Sequence, residues 1–314
     1  MGTLNAMPEV SVVIATYNRG ALLERALESV FGQTFGDYEV VVADDGSTDD
    51  TQERLRKHGS RVRVLRLEHR GRPSTVRNSA IEKASGRFLA FLDSDDAWAP
   101  EKLERQVGLM RRDPELVLCY TDTGFVDENG GFLYLHSRRE RPATGRVLNA
   151  LLQRNFIALS TALARTDAVR SVGGFEESLR MAEDWCLWLR LSVKGRVGFV
   201  NERLCTNTVG HQEMTGDKAA LFEDALRALD IIQAELPPES KENRAGLGRG
   251  RARMASMLAR SYLFSGRAGD ARRLYAKALA NDPLRVEALP FYVLSLLGPR
   301  PAAALKALKR GVGG

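Results

Sequence analysis

With 314 residues, 44% of them apolar and 27% charged, the chain can bury one large core or two smaller ones, and its composition excludes a disordered or fibrous protein. The net charge of +6 favours anionic ligands, but no basic stretch interleaved with aromatics marks a nucleic-acid binder, so none is expected as a partner. Cys119, Cys186 and Cys205 lie far apart without CxxC spacing, which argues against a disulfide framework or a zinc site and fits a reducing cytoplasm. Residues 1–8 lack the basic and apolar pattern of a signal peptide, and no apolar run approaches the roughly 20 residues of a membrane helix. A cytoplasmic protein is expected.

In chain order, the apolar and β-branched run Val10 to Thr16 reads as a strand buried on both faces. Leu22, Leu23, Ala26, Leu27 and Val30 then recur at helical spacing. Glu39 to Ala43 is a second strand, ending in Asp44-Asp45-Gly46-Ser47-Thr48-Asp49, where Ser47 or Thr48 suits a helix cap. Val62 to Leu67 gives a third strand, Thr75 to Ala84 a helix and Phe88 to Leu92 a fourth strand. Pro100 opens a helix through Arg112, and Val117 to Tyr120 reads as a fifth strand. Such alternation predicts an α/β fold with a mostly parallel sheet flanked by helices.

Ligands of such sheets sit beyond the carboxyl ends of the strands. Three residue groups meet that edge: Thr16-Tyr17-Asn18, Asp44-Asp45 and Asp93-Ser94-Asp95-Asp96. A tyrosine can stack on a base, an aspartate can accept from a base or a ribose hydroxyl, and clustered carboxylates suit Mg²⁺ or Mn²⁺ carrying a diphosphate. An isolated DxD also reads as an acidic turn capping the next helix. No GxGxxG follows the first strand and no GxxxxGK[ST] occurs, which disfavours the dinucleotide and P-loop readings.

These pieces resemble the family 2 glycosyltransferases. The resemblance is carried by Ser11-Val12-Val13-Ile14-Ala15-Thr16-Tyr17-Asn18-Arg19, by Val42-Ala43-Asp44-Asp45-Gly46-Ser47-Thr48-Asp49, by Arg77-Asn78 and by Phe91-Leu92-Asp93-Ser94-Asp95-Asp96. Downstream, Gly173-Gly174-Phe175-Glu176-Glu177 and Glu183-Asp184-Trp185-Cys186-Leu187-Trp188-Leu189-Arg190 extend it, so that it covers Pro8 to His211. It implies an inverting, nucleotide-sugar-dependent enzyme with the GT-A fold. In that family the residues at Thr16, Tyr17 and Asp45 serve the nucleobase end of the donor, Asp93 the ribose and Asp95 the metal. Arg72 or Arg77 would reach the diphosphate, and Asp44 would serve the loop or cap a helix. Asp184 would be the general base, steered by Glu183, and His211 would join Asp95 on Mn²⁺ or Mg²⁺. Asp96 is expected to cap the following helix, with a water-mediated role at the metal as the alternative, and Trp98 either lines the acceptor pocket or packs. The implied reaction moves a hexosyl or N-acetylhexosaminyl group, UDP being the usual carrier, to a hydroxyl of a glycan, lipid-linked or other acceptor in polysaccharide or glycolipid synthesis. Two other readings stay open, a metal-dependent nucleotidyltransferase and a scaffold acting through the tail.

Gly124 to Gly145, rich in charge and glycine, reads as an irregular segment, which the resemblance to GT-A enzymes would put over the acceptor site and which otherwise is a solvated loop. Arg203 to Val209 reads as a strand and Ala219 to Leu236 as a helix, followed by a boundary at Pro237-Pro238-Glu239-Ser240 and a basic glycine-rich hinge from Gly246 to Gly250. The expected organisation is a catalytic domain over 1–236 (nucleotide half about 8–122, acceptor half about 123–218) and a helical region over 237–314. In that tail Leu258, Ala259, Tyr262, Ala271, Tyr275, Ala278 and Pro283 follow the spacing of one tetratricopeptide repeat. A lone repeat cannot bury its own face, so it should pack on the catalytic domain, dimerise or bind a partner. Its basic end (Arg300, Lys306, Lys309, Arg310) favours peripheral contact with an acidic membrane surface.

Overall fold

The computed structural model describes residues 7–210, 217–236 and 241–297. Val10–Thr16 (β1), Tyr38–Asp44 (β2), Arg63–Arg66 (β3) and Phe88–Asp93 (β4) run parallel in the order β3-β2-β1-β4. Their central residues are apolar on both faces because helices cover both sides of a parallel sheet. The crossovers are Gly20–Phe31 (α1), Thr51–Lys57 (α2) and Pro73–Lys83 (α3). The spacing seen in the sequence places Leu23, Ala26, Leu27 and Val30 of α1 in one core with Val12 and Ile14 of β1, Val40 and Val42 of β2 and Phe88, Ala90 and Leu92 of β4.

Beyond β4 the sheet departs from simple alternation. Ala97–Trp98 (β5), Lys102–Arg112 (α4), Leu116–Val126 (β6), Phe132–Leu135 (β7), His136–Arg139 (α5), Leu148–Gln153 (α6), Leu163–Arg165 (β8), Thr166–Ser171 (α7), Glu183–Lys194 (α8) and Arg196–Thr208 (β9) follow. The sheet continues β4-β8-β6-β9-β5, with β7 pairing β6. The expected fifth strand, here β6, therefore does not lie beside β4. The three-residue β8 inserts antiparallel between them, and a segment that short carries no periodicity to read. β6 and β9 run parallel, and β9 begins at Arg196 rather than at Arg203. The segment read as irregular over Gly124 to Gly145 contains the end of β6, the hairpin to β7 and α5.

The chain divides into two compact units, one of Met1–Val147 with Asn155–Glu213, the other of Leu148–Arg154 with Met214–Gly314. The second unit holds α6, Lys218–Glu235 (α9), Lys241–Phe264 (α10), Ala268–Asn281 (α11) and Leu289–Leu296 (α12). α10 and α11 form a helical hairpin whose turn places Gly266 at φ 89°, the left-handed conformation that glycine adopts without strain. Leu258, Ala259, Tyr262, Ala271 and Tyr275 fill its interior, and Phe222 and Leu226 of α9 and Phe291 and Leu294 of α12 cover them. Part of this cover comes from α9, which lies inside the boundary expected for the catalytic domain, and the rest from α12. The expected hinge is corrected as well, because Gly246 and Gly250 lie inside the continuous α10. A Cβ at Gly250 would fall 1.9 Å from the Leu152 carbonyl oxygen, so this glycine permits α6 to cross against α10 rather than bending the chain. Among the described residues no helix is long and apolar enough to cross a membrane.

Candidate active site

Parallel register brings the three acidic and polar groups to one edge. Thr16 pairs with Asp44, and Ala15 with Asp93, so the ends of β2, β1 and β4 lie side by side. Thr16 is buried, and its hydroxyl has no hydrogen-bond partner among the described residues. A buried orphan hydroxyl at a ligand-facing strand end is a feature that an incoming polar group would satisfy. Asn18, at φ 50°, turns the chain out of β1. Its Oδ1 accepts from the Thr48 amide at 2.7 Å, and its own amide donates to Ser47 Oγ at 2.8 Å. Asp44 is turned inward, where it accepts from the Ser47 amide at 3.1 Å and from the Gln52 side chain, which fixes the loop after β2.

Asp45 and Tyr17 are brought together through a residue the sequence did not single out. Asp45 accepts from the Arg70 and Gly71 amides, each at 2.9 Å. His69 Nδ1 lies 2.9 Å from Asp45 Oδ2, and the His69 ring stacks on Tyr17 at 4.0 Å and 17°. Gly46, at φ 76°, lets the loops meet, since a Cβ there would sit 3.0 Å from the His69 amide. Arg72 does not point along this edge: it donates to the Glu177 carbonyl at 2.7 Å from an exposed position.

The acids at the end of β4 diverge. Asp93 is paired with Arg77 at 2.7 Å, and Asp95 with Arg19 at 2.7 Å. Their side chains remain 34% and 16% accessible, so both stay open to a ligand approaching the edge. Asp96 is buried and faces the other way. It accepts from Ser160 Oγ at 2.5 Å, from the Thr208 amide at 3.2 Å and from the Asn207 amide group. Burial, then the neighbouring Asp93 and Asp95, pushes its carboxyl well above the usual range. The helix cap expected of it is not formed, since α4 starts only at Lys102, after Glu101. Instead Asp96 joins β9 to the loop before β8 and holds the turn that presents Asp95. Ser160 completes this support by accepting from the Asp93 amide at 3.0 Å. Trp98 packs: it is buried and donates from Nε1 to the Ser160 carbonyl at 2.8 Å.

Opposite these acids stands the start of α8. Trp185, Leu187, Trp188, Leu189 and Leu191 are buried, and Trp188 and Phe175 pack on Phe91 of β4. Ala182, before the helix, sits at φ 58°, a left-handed conformation that costs an L-residue about 1–2 kcal/mol and is held by the surrounding packing. Arg77 then joins β4 to the start of α8, with Nη2 2.7 Å from Asp93 and Nη1 2.6 Å from Glu183. Burial opposes its charge, but the two carboxylates outweigh that and hold it protonated. The resemblance offered Arg77, or else Arg72, to the diphosphate; the structure engages Arg77 between two acids. Asp184 is partly exposed and accepts from Asn155 Nδ2 at 3.1 Å. Desolvation, then the adjacent Glu183, pushes its carboxyl up to about 7, against the opposing pull of the Trp185 amide, Arg77 and Asn155. A carboxyl so placed changes protonation near neutral pH and can accept a proton from a hydroxyl.

Asp93 and Asp95 are hard oxygen donors of the kind Mg²⁺ and Mn²⁺ take, and Mg²⁺ commonly uses one or two protein carboxylates with phosphate and water completing its shell. Among the described residues no group of three or more His, Cys, Asp or Glu side chains gathers as a metal site. Two accessible carboxylates of this kind fit an ion that completes its shell with phosphate and water. His211, expected as a ligand, lies outside the described residues. His69, Asn155, Ser160, Asn207 and Arg19 were missed as site residues. Only Arg19, beside Tyr17 and Asn18, carried a local signal.

The family model described as "Glycosyl transferase family 2" matches residues 11–173. Among curated proteins, an uncharacterized glycosyltransferase of Rickettsia bellii is 35% identical over 198 residues, 62% of this chain and 28% of its own length. Chondroitin synthase of Escherichia coli is 32% identical over 219 residues, 69% of this chain and 31% of its own. The chain thus spans about a third of the length of these relatives. Among solved structures, S. aureus TarS 1-349 in complex with UDP-GlcNAc superposes with a TM-score of 0.67 at 20% identity, covering 96% of this chain and 92% of that one. The Pyrobaculum calidifontis mannosyltransferase PcManGT, in complex with GDP-Man and Mn²⁺, gives 0.61 at 19% identity, covering 97% and 88%. Both show the same fold.

Proposed function

The chain belongs to glycosyl transferase family 2, whose model matches more than half of its residues, and from that premise we propose that it transfers a sugar from a nucleoside diphosphate to an acceptor hydroxyl with inversion. The observation that carries this reading is the Arg77 bridge. One buried guanidinium joins Asp93, on the donor side, to Glu183, the neighbour of Asp184.

In this scheme the donor lies along the strand ends, with its base by Tyr17 and Asp45, its ribose by Asp93 and its diphosphate by Asp95. A divalent ion bound there, Mn²⁺ or Mg²⁺, would offset charge on the departing diphosphate, and Asp95 is the described residue that would hold it. Arg19, which neutralises Asp95 at 2.7 Å, is the cation that a phosphate oxygen meets next. Asp184 takes the proton of the acceptor hydroxyl as the oxygen attacks the anomeric carbon from the face opposite the leaving group. Glu183 and Asn155 orient that carboxylate. The supports for UDP as carrier and for a glycan acceptor are the TarS complex and the chondroitin synthase relative.

Thermal unfolding with UDP, GDP or dTDP, each with and without Mn²⁺, tests the donor assignment. UDP with Mn²⁺ should raise Tm most, because a ligand present at 100 times its Kd stabilises by about 2.7 kcal/mol. No shift with any nucleotide would overturn the assignment.

A further inference from the structure

On the sugar-transfer reading the base of the donor belongs by Tyr17 and Asp45, yet one side chain covers both. The His69 ring stacks on Tyr17 at 4.0 Å and 17°. Its Nδ1 lies 2.9 Å from Asp45 Oδ2 and 3.0 Å from the Asp45 carbonyl oxygen. Both of those atoms are acceptors, so Nδ1 carries a proton and donates. Asp45 Oδ1 also accepts from the Arg70 amide and Oδ2 from the Gly71 amide. With His69 in place only 6% of the Asp45 side chain is accessible. A base laid on the opposite face of Tyr17 would have that ring between itself and His69 and could not donate to the carboxylate. Of the three donors on the Asp45 carboxylate, two are main-chain amides and the third is the His69 side chain, which is 47% accessible and can turn away without moving the backbone. A flat ring on Tyr17 with an N–H aimed at Asp45 is also what a base bearing an imide N–H, such as uracil, would present.

We propose that His69 is a gate on the nucleobase site: its imidazole takes the place of the base when no nucleotide is bound, and the incoming base displaces it from both Tyr17 and Asp45. This rests on the sugar-transfer reading above and adds a control of donor binding to it. The apparent affinity is lowered in proportion to the fraction of molecules whose ring is turned away. Donor and departing nucleoside diphosphate carry the same base, so the gate weakens both to the same degree.

The test titrates UDP and ribose 5-diphosphate, which lacks the base, into the full chain with Mn²⁺. His69→Ala should bind UDP about tenfold tighter than wild type, the scale of one hydrogen bond to a carboxylate that no longer has to be broken. It should bind ribose 5-diphosphate as wild type does. A second measurement needs no variant to fold. In wild type labelled at its histidine rings, UDP should shift the His69 Cε1–H resonance from its stacked position towards that of an exposed histidine, and ribose 5-diphosphate should leave it in place. The gate is overturned if His69→Ala binds UDP more weakly, which would make the ring a contact of the base, or if it binds UDP like wild type. It is equally overturned if the gain extends to ribose 5-diphosphate, or if the His69 resonance stays put as UDP binds. Failure of wild type and His69→Ala alike to bind UDP would instead overturn the sugar-transfer reading itself.

Discussion

Asp184→Asn is expected to lower the turnover number by about 10²–10⁴-fold, the range attributed to a positioned general base, while UDP affinity stays within about twofold. Asn keeps the size of the side chain and its contact with Asn155, but it cannot take a proton. The pH profile gives the same test without mutation. Desolvation and Glu183 push the Asp184 carboxyl up to about 7, and the base must be ionised to act. Wild-type kcat/KM should therefore rise with pH below about 7 and level off above it. Stability should move in the opposite sense. A carboxyl whose folded-state value is raised binds its proton more tightly folded than unfolded, so its contribution to stability falls as pH rises from the ordinary carboxylate range through about 7. Asp184→Asn removes that penalty and should be no less stable than wild type at pH 8, which separates lost chemistry from lost fold. A flat profile between pH 5 and 8, or retained turnover in the variant, removes Asp184 from the role.

Arg77→Met should have the largest effect on stability. Its side chain is about nine-tenths buried and forms close ion pairs with Asp93 and Glu183. Removing one partner of a buried ion pair leaves uncompensated charge and costs about 3–5 kcal/mol, and here two carboxylates would be left facing each other. Activity should fall with it, since the same bridge fixes both the donor-side acid and the start of α8. Arg77→Lys should recover little, because an ammonium does not present the planar fork that reaches two carboxylates at once. The triple replacement Arg77→Met, Asp93→Asn, Glu183→Gln should regain much of the stability and none of the activity. Urea unfolding checks the first claim; an Arg77→Met chain as stable as wild type would show that the bridge carries no weight.

The chemistry-bearing strand ends were legible in the sequence because period and punctuation are local. Val10 to Thr16 and Phe88 to Leu92 are apolar runs that stop at polar turns, and a parallel sheet puts such stops on one edge. What could not be read depends on register and on contacts made far along the chain. Ser160 and Asn207 support Asp96 from 64 and 111 positions away, and nothing in the local sequence of either residue marks it. His69 carries no signal in its own neighbourhood, and only the loop after β3 brings it against Tyr17 and Asp45. The glycines at 246 and 250 misled for the opposite reason: in a helix they signal flexibility by composition, yet the close crossing of Leu152 requires one of them.

The central claim, that carboxylates gathered at one strand edge hold a donor diphosphate together with a divalent ion, is tested most directly by titrating UDP into wild type and Asp95→Ala, each with and without Mn²⁺. Mn²⁺ should tighten UDP binding to wild type at least about tenfold, the scale of one charge-assisted contact, and leave Asp95→Ala unchanged. An equal gain in both proteins would contradict it.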